Sequence, residues 1–216
     1  SNLAESTEAT ELAKGAPLYY AWSPDSRSLL LHTAGAISVT QGSPPRELLS
    51  LEADPMDFRA PSWSPDGVQI LYIGRDQRGQ NHLAVTNRTG SNEQLLTPVG
   101  PRTAYSWSST GESIAFADST DPTFPFFTRL GLIAPAGGRV TPLVEEPILA
   151  FFWSPDSQRI VYAALDLATW LTVTWKVVEV DGGTPRTLVE FVPGELFQVL
   201  LTYFDQYAHS HSIWSP

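Results

Sequence analysis

The chain has 216 residues, a formal net charge of −10 and no cysteine, and 42% of its residues are hydrophobic. The missing cysteines exclude disulfides, thiolate catalysis and zinc–thiolate sites. The acidic balance, with only 13 scattered Lys and Arg, argues against nucleic acid as a partner, and no segment approaches the ~20 apolar residues of a membrane span.

A short motif recurs along the chain. Trp-Ser-Pro-Asp begins at Trp22, Trp63 and Trp153, a decayed copy begins at Trp107, and a cut-off copy begins at Trp214. The first four copies are spaced by roughly 40–46 residues, which is the length of one four-stranded propeller blade. The repeat therefore predicts an all-β fold, a β-propeller of four-stranded antiparallel blades.

Each repeat predicts four strands in the same order. The predicted blades span 18–52, 60–97, 103–145 and 150–190. Their predicted strands are 18–22, 28–33, 36–40 and 46–51; 60–63, 69–73, 81–86 and 93–97; 103–107, 113–117, 129–134 and 139–144; and 150–153, 159–164, 172–180 and 185–190.

The motif has a structural explanation in each blade. Proline fixes φ at the second position of the turn after the first strand, and aspartate accepts hydrogen bonds from the turn backbone. We therefore interpret Pro24, Pro65 and Pro155 as turn residues, and the tryptophans as packing between neighbouring blades.

The two ends of the chain predict a portion of a larger propeller. Residues 1–9 are interpreted as a vector remnant followed by a disordered segment, and 10–14 as the outer strand of a preceding blade. Residues 191–216 are interpreted as an insertion followed by the first strand, 208–214, of a truncated fifth blade. Because a propeller hides its strand edges by closing into a ring, we expect a homo-oligomer assembled through these ends.

These repeats resemble those of the TolB family of β-propellers, over residues 18 to 190. The resemblance rests on the Trp-Ser-Pro-Asp-Gly turn, the two strands around a short loop, and a closing Leu-Thr such as Leu96-Thr97. It implies a protein-binding role and favours an extracytoplasmic location, although the compartment stays open. The repeat is also similar to the propeller of prolyl-oligopeptidase-type serine peptidases, and a fold alone carries no function.

The chemistry-bearing motifs give few candidates. The sequence has no Gly-x-Ser-x-Gly, phosphate-loop, His-Glu-x-x-His or calcium-loop pattern, so we expect no cofactor. Asp205, His209 and His211 have metal-like spacing, because His209 and His211 would share one strand face. Polar strand residues near the channel are the more economical interpretation, so no metal site is expected.

The long connections all fall on one face of the predicted disc, formed by the second-to-third loops and the blade-to-blade links. The loop 118–128 places three phenylalanines around Pro125, and 191–207 has the pattern of an amphipathic helix. Loops on a rigid scaffold often form contact surfaces, whereas the alternative is a lid that closes over the channel. The predicted contact residues are Phe124, Phe126, Phe127, Trp170, Phe197 and Tyr203.

The sequence therefore predicts a non-enzymatic propeller domain that recognises a protein or peptide through this long-loop face. The alternative is the regulatory propeller of a serine peptidase whose catalytic domain lies outside these residues. A channel-lined glycosidase is disfavoured because none of the four predicted inner strands contains Asp or Glu, and that chemistry needs paired carboxylates.

Overall fold

The structure is a computed structural model of the whole chain. It describes residues 11–12, 14–16, 18–33, 36–42, 46–52, 59–121, 123–169, 172–194, 201, 204 and 214, and for 46–52 the backbone alone.

The described residues form four antiparallel sheets of four strands each, joined in sequence order. Blade one contains β1 (Leu18–Trp22), β2 (Ser28–Thr33), β3 (Ala36–Gln41) and β4 (Arg46–Glu52). Blade two contains β5 (Ser62–Trp63), β6 (Gln69–Arg75), β7 (Asn81–Asn87) and β8 (Gln94–Pro98). Blade three contains β9 (Arg102–Trp107), β10 (Ile114–Ser119), β11 (Arg129–Ile133) and β12 (Thr141–Val144). Blade four contains β13 (Ile148–Trp153), β14 (Arg159–Leu165), β15 (Val173–Glu179) and β16 (Arg186–Phe191).

These sheets confirm the predicted all-β meander of propeller blades, and the four sheets do not close into a ring. Most strand bounds agree with the sequence prediction to within two residues. In blade four the hydrophobic inner strand begins at Ile148, which pairs with Ala164 of β14. The Ile148 backbone also bridges to Phe127 through hydrogen bonds of 3.2 and 2.9 Å.

The core lies between the blades. One cluster joins Leu30, Ile37 and Val39 of blade one to Trp63 and Ile70 of blade two. A second joins blades two and three around Tyr105, Trp107 and Phe116, and a third joins blades three and four around Phe151 and Tyr162. Each sheet thus packs one face on its neighbour, as sheets with alternating inward residues do.

The turn between the first two strands has the same geometry in every blade. Its fourth residue has a left-handed backbone, with φ of 56° at Ser26, 69° at Gly67, 76° at Gly111 and 58° at Ser157. Glycine adopts this conformation without steric cost. Two blades therefore hold a serine under local strain.

Two strands are predicted at the ends of the chain: the first is wrong, and the second lies almost entirely outside the described residues. Glu11, Leu12 and Lys14 of the predicted strand 10–14 are not in a strand; instead Leu12 lies with Trp22 and Leu29 at the open side of blade one. A strand needs a neighbour for its backbone hydrogen bonds, and no described strand pairs with this segment. The predicted strand 208–214 lies outside the described residues except for Trp214, which is a bend.

The predicted insertion 191–207 is described at 191–194, where Phe191 ends β16 and the next three residues have no regular secondary structure, and further on only at Leu201 and Phe204. Both have helical backbone and are buried, at 3% and 1% exposure. They pack on the blade-four core, where the Phe204 ring lies 5.1 Å from that of Phe151. Within the described ranges, no helix has the length and apolarity to cross a bilayer.

Candidate functional site: an axial pocket

The four inner strands converge on a pocket of about 530 Å³ at the centre of the four blades. The Trp-Ser-Pro segments of the repeats surround it at the end where each inner strand turns back. Its described lining is Tyr19, Ala21, Trp22, Pro24, Ser62, Trp63, Ser64, Pro65, Ser106, Trp107, Ser108, Ser109, Phe152, Trp153, Ser154, Pro155 and Trp214. Every one of these residues is uncharged, so the pocket offers aromatic rings, proline rings and hydroxyl groups.

The tryptophans that form the walls are held by bonds to the preceding blade. The indole N–H of Trp63 donates to the Ala21 carbonyl at 3.3 Å, and that of Trp153 donates to the Ser106 carbonyl at 3.2 Å. Each acceptor is the residue just before the tryptophan of the preceding blade. In blades two and four the motif thus fixes the pocket wall by a hydrogen bond to the preceding blade.

Blade three breaks this rule. The Trp107 indole N–H is buried and has no hydrogen-bond partner among the described residues. Ser62 stands where the other blades have the residue whose carbonyl accepts this bond. The hydroxyl of Ser62 is also buried and has no partner among the described residues. An unpaired buried donor costs about 1–3 kcal/mol, so the junction of blades two and three is the least well bonded part of the wall.

The first serine hydroxyl of each motif is hydrogen-bonded within its own turn. Ser64 Oγ accepts the Gln69 backbone N–H at 2.9 Å and donates to Asp66 Oδ1 at 2.6 Å. The same pair of bonds occurs in blades one and four, at Ser23–Asp25 and Ser154–Asp156. In the decayed motif of blade three, Thr110 replaces the aspartate and lies 3.2 Å from Ser108 Oγ.

Three of these turns carry an aspartate directly after a proline that lines the pocket, at Asp25, Asp66 and Asp156, and we call these three positions the rim. The hydrogen bond from Ser23 lowers the pKa of Asp25 to about 2, and Arg88 adds to this effect. The hydrogen bonds from Ser64 and Ser154 likewise lower the pKa of Asp66 and of Asp156. All three are therefore ionised at neutral pH, and Asp25 forms an ion pair with Arg88.

Arg88 links blades one and two at this rim. Its guanidinium donates to Gly67 O at 2.7 Å, to Ser28 Oγ at 3.3 Å and to Asp25 Oδ2 at 3.0 Å. Its Cζ also lies 5.3 Å from the centre of the Trp63 ring, within the range of a cation–π contact. Trp63 is 8% exposed and also belongs to the core cluster of blades one and two.

The long-loop face is less open than the sequence predicts. Phe127 is 8% exposed and belongs to the core of blades three and four, so it is not a surface contact residue of this chain. Phe126 also packs against that core, and Phe124 meets Phe126 edge to face with centroids 5.9 Å apart. The bridge between Phe127 and Ile148 explains this burial, because it pulls the loop onto blade four.

The other predicted site residues lie outside the described side chains. These are the contact residues Trp170, Phe197 and Tyr203, and the metal candidates Asp205, His209 and His211. Within the described part of the chain, no three His, Cys, Asp or Glu side chains come together as a metal site would require.

The long-loop face also holds an ion pair with a structural role, between the buried Asp118 and the partly exposed Arg129. The Asp118 side chain is fully buried and accepts hydrogen bonds from Arg129, at 2.8 Å from Nη2, and from the Gly100 backbone at 2.9 Å. A Cβ at Gly100 would meet the Ser119 carbonyl oxygen at 1.7 Å, so only glycine allows this approach. The carboxylate thereby ties the blade link to β10.

Sequence reasoning missed the axial pocket. It attributed the Trp-Ser-Pro-Asp residues to blade structure alone and looked for function on the opposite face. The signal that could have located the pocket is that every copy falls at the same end of an inner strand, so the copies must meet around the axis.

Comparisons with known proteins agree on the fold. No protein-family profile matches the chain, and no curated protein matches its sequence. The chain is similar to the uncharacterized protein lmo1340 of Listeria monocytogenes, at TM-score 0.57 and 13% identity, over 85% of this chain and 57% of that one. It is similar to the tricorn protease at TM-score 0.57 and 13% identity, over 82% of this chain and 18% of that one.

A TolB structure, from Acinetobacter baumannii, also matches, at TM-score 0.38 and 17% identity, over 83% of this chain and 55% of that one. At these identities the likeness concerns the fold alone. The chain spans little more than half of the Listeria and TolB structures. The strands that the structure describes thus form four propeller blades.

Proposed function

We propose that this chain is a non-enzymatic binding domain that takes up a segment of a protein or peptide in its axial pocket. The observation that supports this most is the pocket lining, where aromatic and proline rings from all four blades meet without a charged side chain. Aromatic-lined grooves bind extended, proline-rich or apolar peptide segments, and a few polar groups fix the register.

The rim adds a preference to this proposal. The rim carries the ionised carboxylates of Asp25, Asp66 and Asp156, the first of them paired with Arg88. They favour a segment whose flanks are basic, because complementary charge accelerates association and excludes acidic partners. Only Tyr19 among the described lining residues carries an ionisable side chain, so the walls suit recognition better than proton transfer.

The test uses peptides selected for binding to the protein from a displayed random library, with two variants of β1. Trp22 is 60% exposed and lines the pocket, whereas Tyr20 is 64% exposed on the same strand but does not line it. Trp22→Ala should weaken the selected peptides by about tenfold, as removal of an aromatic anchor does. At concentrations where the parent is monomeric, Tyr20→Ala should leave peptide affinity within about twofold of the parent.

Two results would overturn the proposal. One is a library from which no peptide is enriched. The other is a set of peptides that bind Trp22→Ala as tightly as the parent but lose affinity for Phe124→Ala. That second result would assign recognition to the long-loop face.

The second candidate, a regulatory propeller of a serine peptidase, has one supporting observation. The chain is similar to a segment of the tricorn protease that makes up 18% of that protein. The test is the addition of this chain to a peptidase domain encoded with it, where an altered rate toward long but not short substrates would support the regulatory role.

A further inference from the structure

A second pocket, of about 400 Å³, lies between blades three and four. It shares Ser108 and Trp153 with the axial pocket. Its described lining is Ser108, Thr110, Glu112, Ser113, Leu132, Ile133, Ala134, Arg139, Thr141, Trp153, Ser157, Gln158 and Val180.

The repeat shows what occupies the equivalent place between blades one and two. In blade two Trp63 pairs with Ile70, which pairs with Thr86, so Arg88 is two residues beyond that register position. In blade four Trp153 pairs with Ile160, which pairs with Val178. Val180 therefore stands at the position of Arg88.

The groups that hold the Arg88 side chain also have counterparts in this pocket. Ser113 corresponds to Ser28. Each lies five residues after the first serine of its motif, and its carbonyl accepts that serine's backbone N–H. Ser157 corresponds to Gly67, since each donates its N–H to that first serine's carbonyl. The Trp153 ring corresponds to the Trp63 ring. The residues that would hold an arginine side chain are thus present in this pocket, whereas Val180 replaces the arginine itself.

A carboxylate is also present in this pocket, at a different position of the turn. Thr110 replaces the Asp25 that binds Arg88, but Glu112 contributes a carboxylate two residues further along the same turn. Trp153 is partly exposed, whereas Trp63 is covered by Arg88. Arg139, from the loop after β11, lines the same pocket and is exposed.

We infer that the pocket between blades three and four is a binding site for the guanidinium group of an arginine on a partner polypeptide. The arginine would stack on Trp153, donate to the Ser157 carbonyl and the Ser113 hydroxyl, and pair with Glu112. A planar guanidinium suits this set better than an ammonium, because it stacks on an aromatic ring and donates in several directions at once. The site stands independently of any peptide in the axial pocket.

The test is a titration of the isotope-labelled protein with N-acetyl-arginine amide, followed by its indole and amide NMR resonances. The controls are the citrulline analogue, which is isosteric and uncharged, and the lysine analogue. We expect the Trp153 indole and Ser157 amide signals to shift with arginine, and both analogues to bind about tenfold more weakly. Equal binding of the citrulline analogue, or no shift at Trp153, would overturn the inference.

Variants separate this site from its alternatives. Val180→Arg restores the residue of blade two and should abolish binding while raising the melting temperature; Val192→Arg, at a position 69% exposed, should do neither. Glu112→Gln should weaken binding several-fold, and it tests the site even if Val180→Arg fails to fold. Arg139→Ala should preserve or strengthen binding. If instead the parent does not bind N-acetyl-arginine amide and Arg139→Ala melts at a lower temperature, Arg139 itself fills this pocket and the inference is wrong.

Discussion

The indole of Trp63 donates a hydrogen bond to the carbonyl of Ala21, 3.3 Å away in the preceding blade. Trp153 makes the same bond to Ser106. In blades two and four the repeated tryptophan is therefore a link to the preceding blade, and its indole ring also forms a wall of the axial pocket. One residue type thus contributes to both blade packing and the candidate binding surface.

The first prediction compares Trp63→Phe with Trp107→Phe. Both rings are buried, but only Trp63 has a hydrogen bond to lose. We expect Trp63→Phe to cost about 1 kcal/mol more than Trp107→Phe, because the second change removes an unpaired donor. Urea unfolding of the two variants measures the difference, and equal losses would contradict the proposed role of the indole bond.

The second prediction concerns the strained turns. Ser26 has φ of 56° and an exposed side chain, at a position where Gly67 and Gly111 relieve the strain in other blades. Ser26→Gly should stabilise the fold by about 0.5–1 kcal/mol. The matched change Gly67→Ala should destabilise it, because the new Cβ would lie 3.0 Å from Arg88 Nη2 and 3.1 Å from Pro24 Cδ. A fall in melting temperature for Ser26→Gly would refute the argument.

The third prediction is a pH dependence. The folded pKa of Asp25 is about 2, below its ordinary value of 3.8. Its ionised form therefore contributes stability above pH 4, and this contribution disappears as the pH falls from 4 toward 2. Asp25→Asn keeps an acceptor oxygen but cannot titrate, so the stability gap between parent and variant should narrow over that range. A gap that is constant from pH 6 to pH 2 would contradict the assignment.

The fourth prediction is the burial of the loop aromatics. Phe127→Ala should lower the free energy of unfolding by about 3–5 kcal/mol, as loss of a core ring does. Phe124→Ala, at a partly exposed ring, should cost far less. Calorimetry distinguishes the two, and a Phe127 variant that melts like the parent would return this loop to the status of an open contact surface.

The fifth prediction concerns self-association. Leu18, Tyr20 and Trp22 are 49%, 64% and 60% exposed on one side of β1, although the corresponding tryptophans Trp63 and Trp107 are buried. We expect the isolated chain to form a homodimer that covers this side, and Tyr20→Lys to weaken it. Sedimentation velocity across micromolar concentrations measures this, and a parent chain that remains monomeric would reject it.

The fold could be predicted from the sequence because the repeat makes local chemistry periodic. Each Trp-Ser-Pro-Asp segment encodes a turn whose serine and aspartate bond within five residues, so strand bounds such as 18–22 and 28–33 follow from the sequence. Alternating apolar residues then set which side of each strand faces a neighbour. None of this requires knowledge of how the blades meet.

Contacts between blades were decided only by the tertiary structure. Burial of Phe127 depends on a bridge to Ile148. The position of the Arg88 side chain depends on Asp25 and Ser28, which lie 63 and 60 residues earlier in the chain. The same motif also yields a bonded indole at Trp153 and an unpaired one at Trp107. The sequence determined the blades, since their turns and strands are held by short-range bonds. The pockets were decided by the tertiary structure, because they form where side chains from different repeats meet.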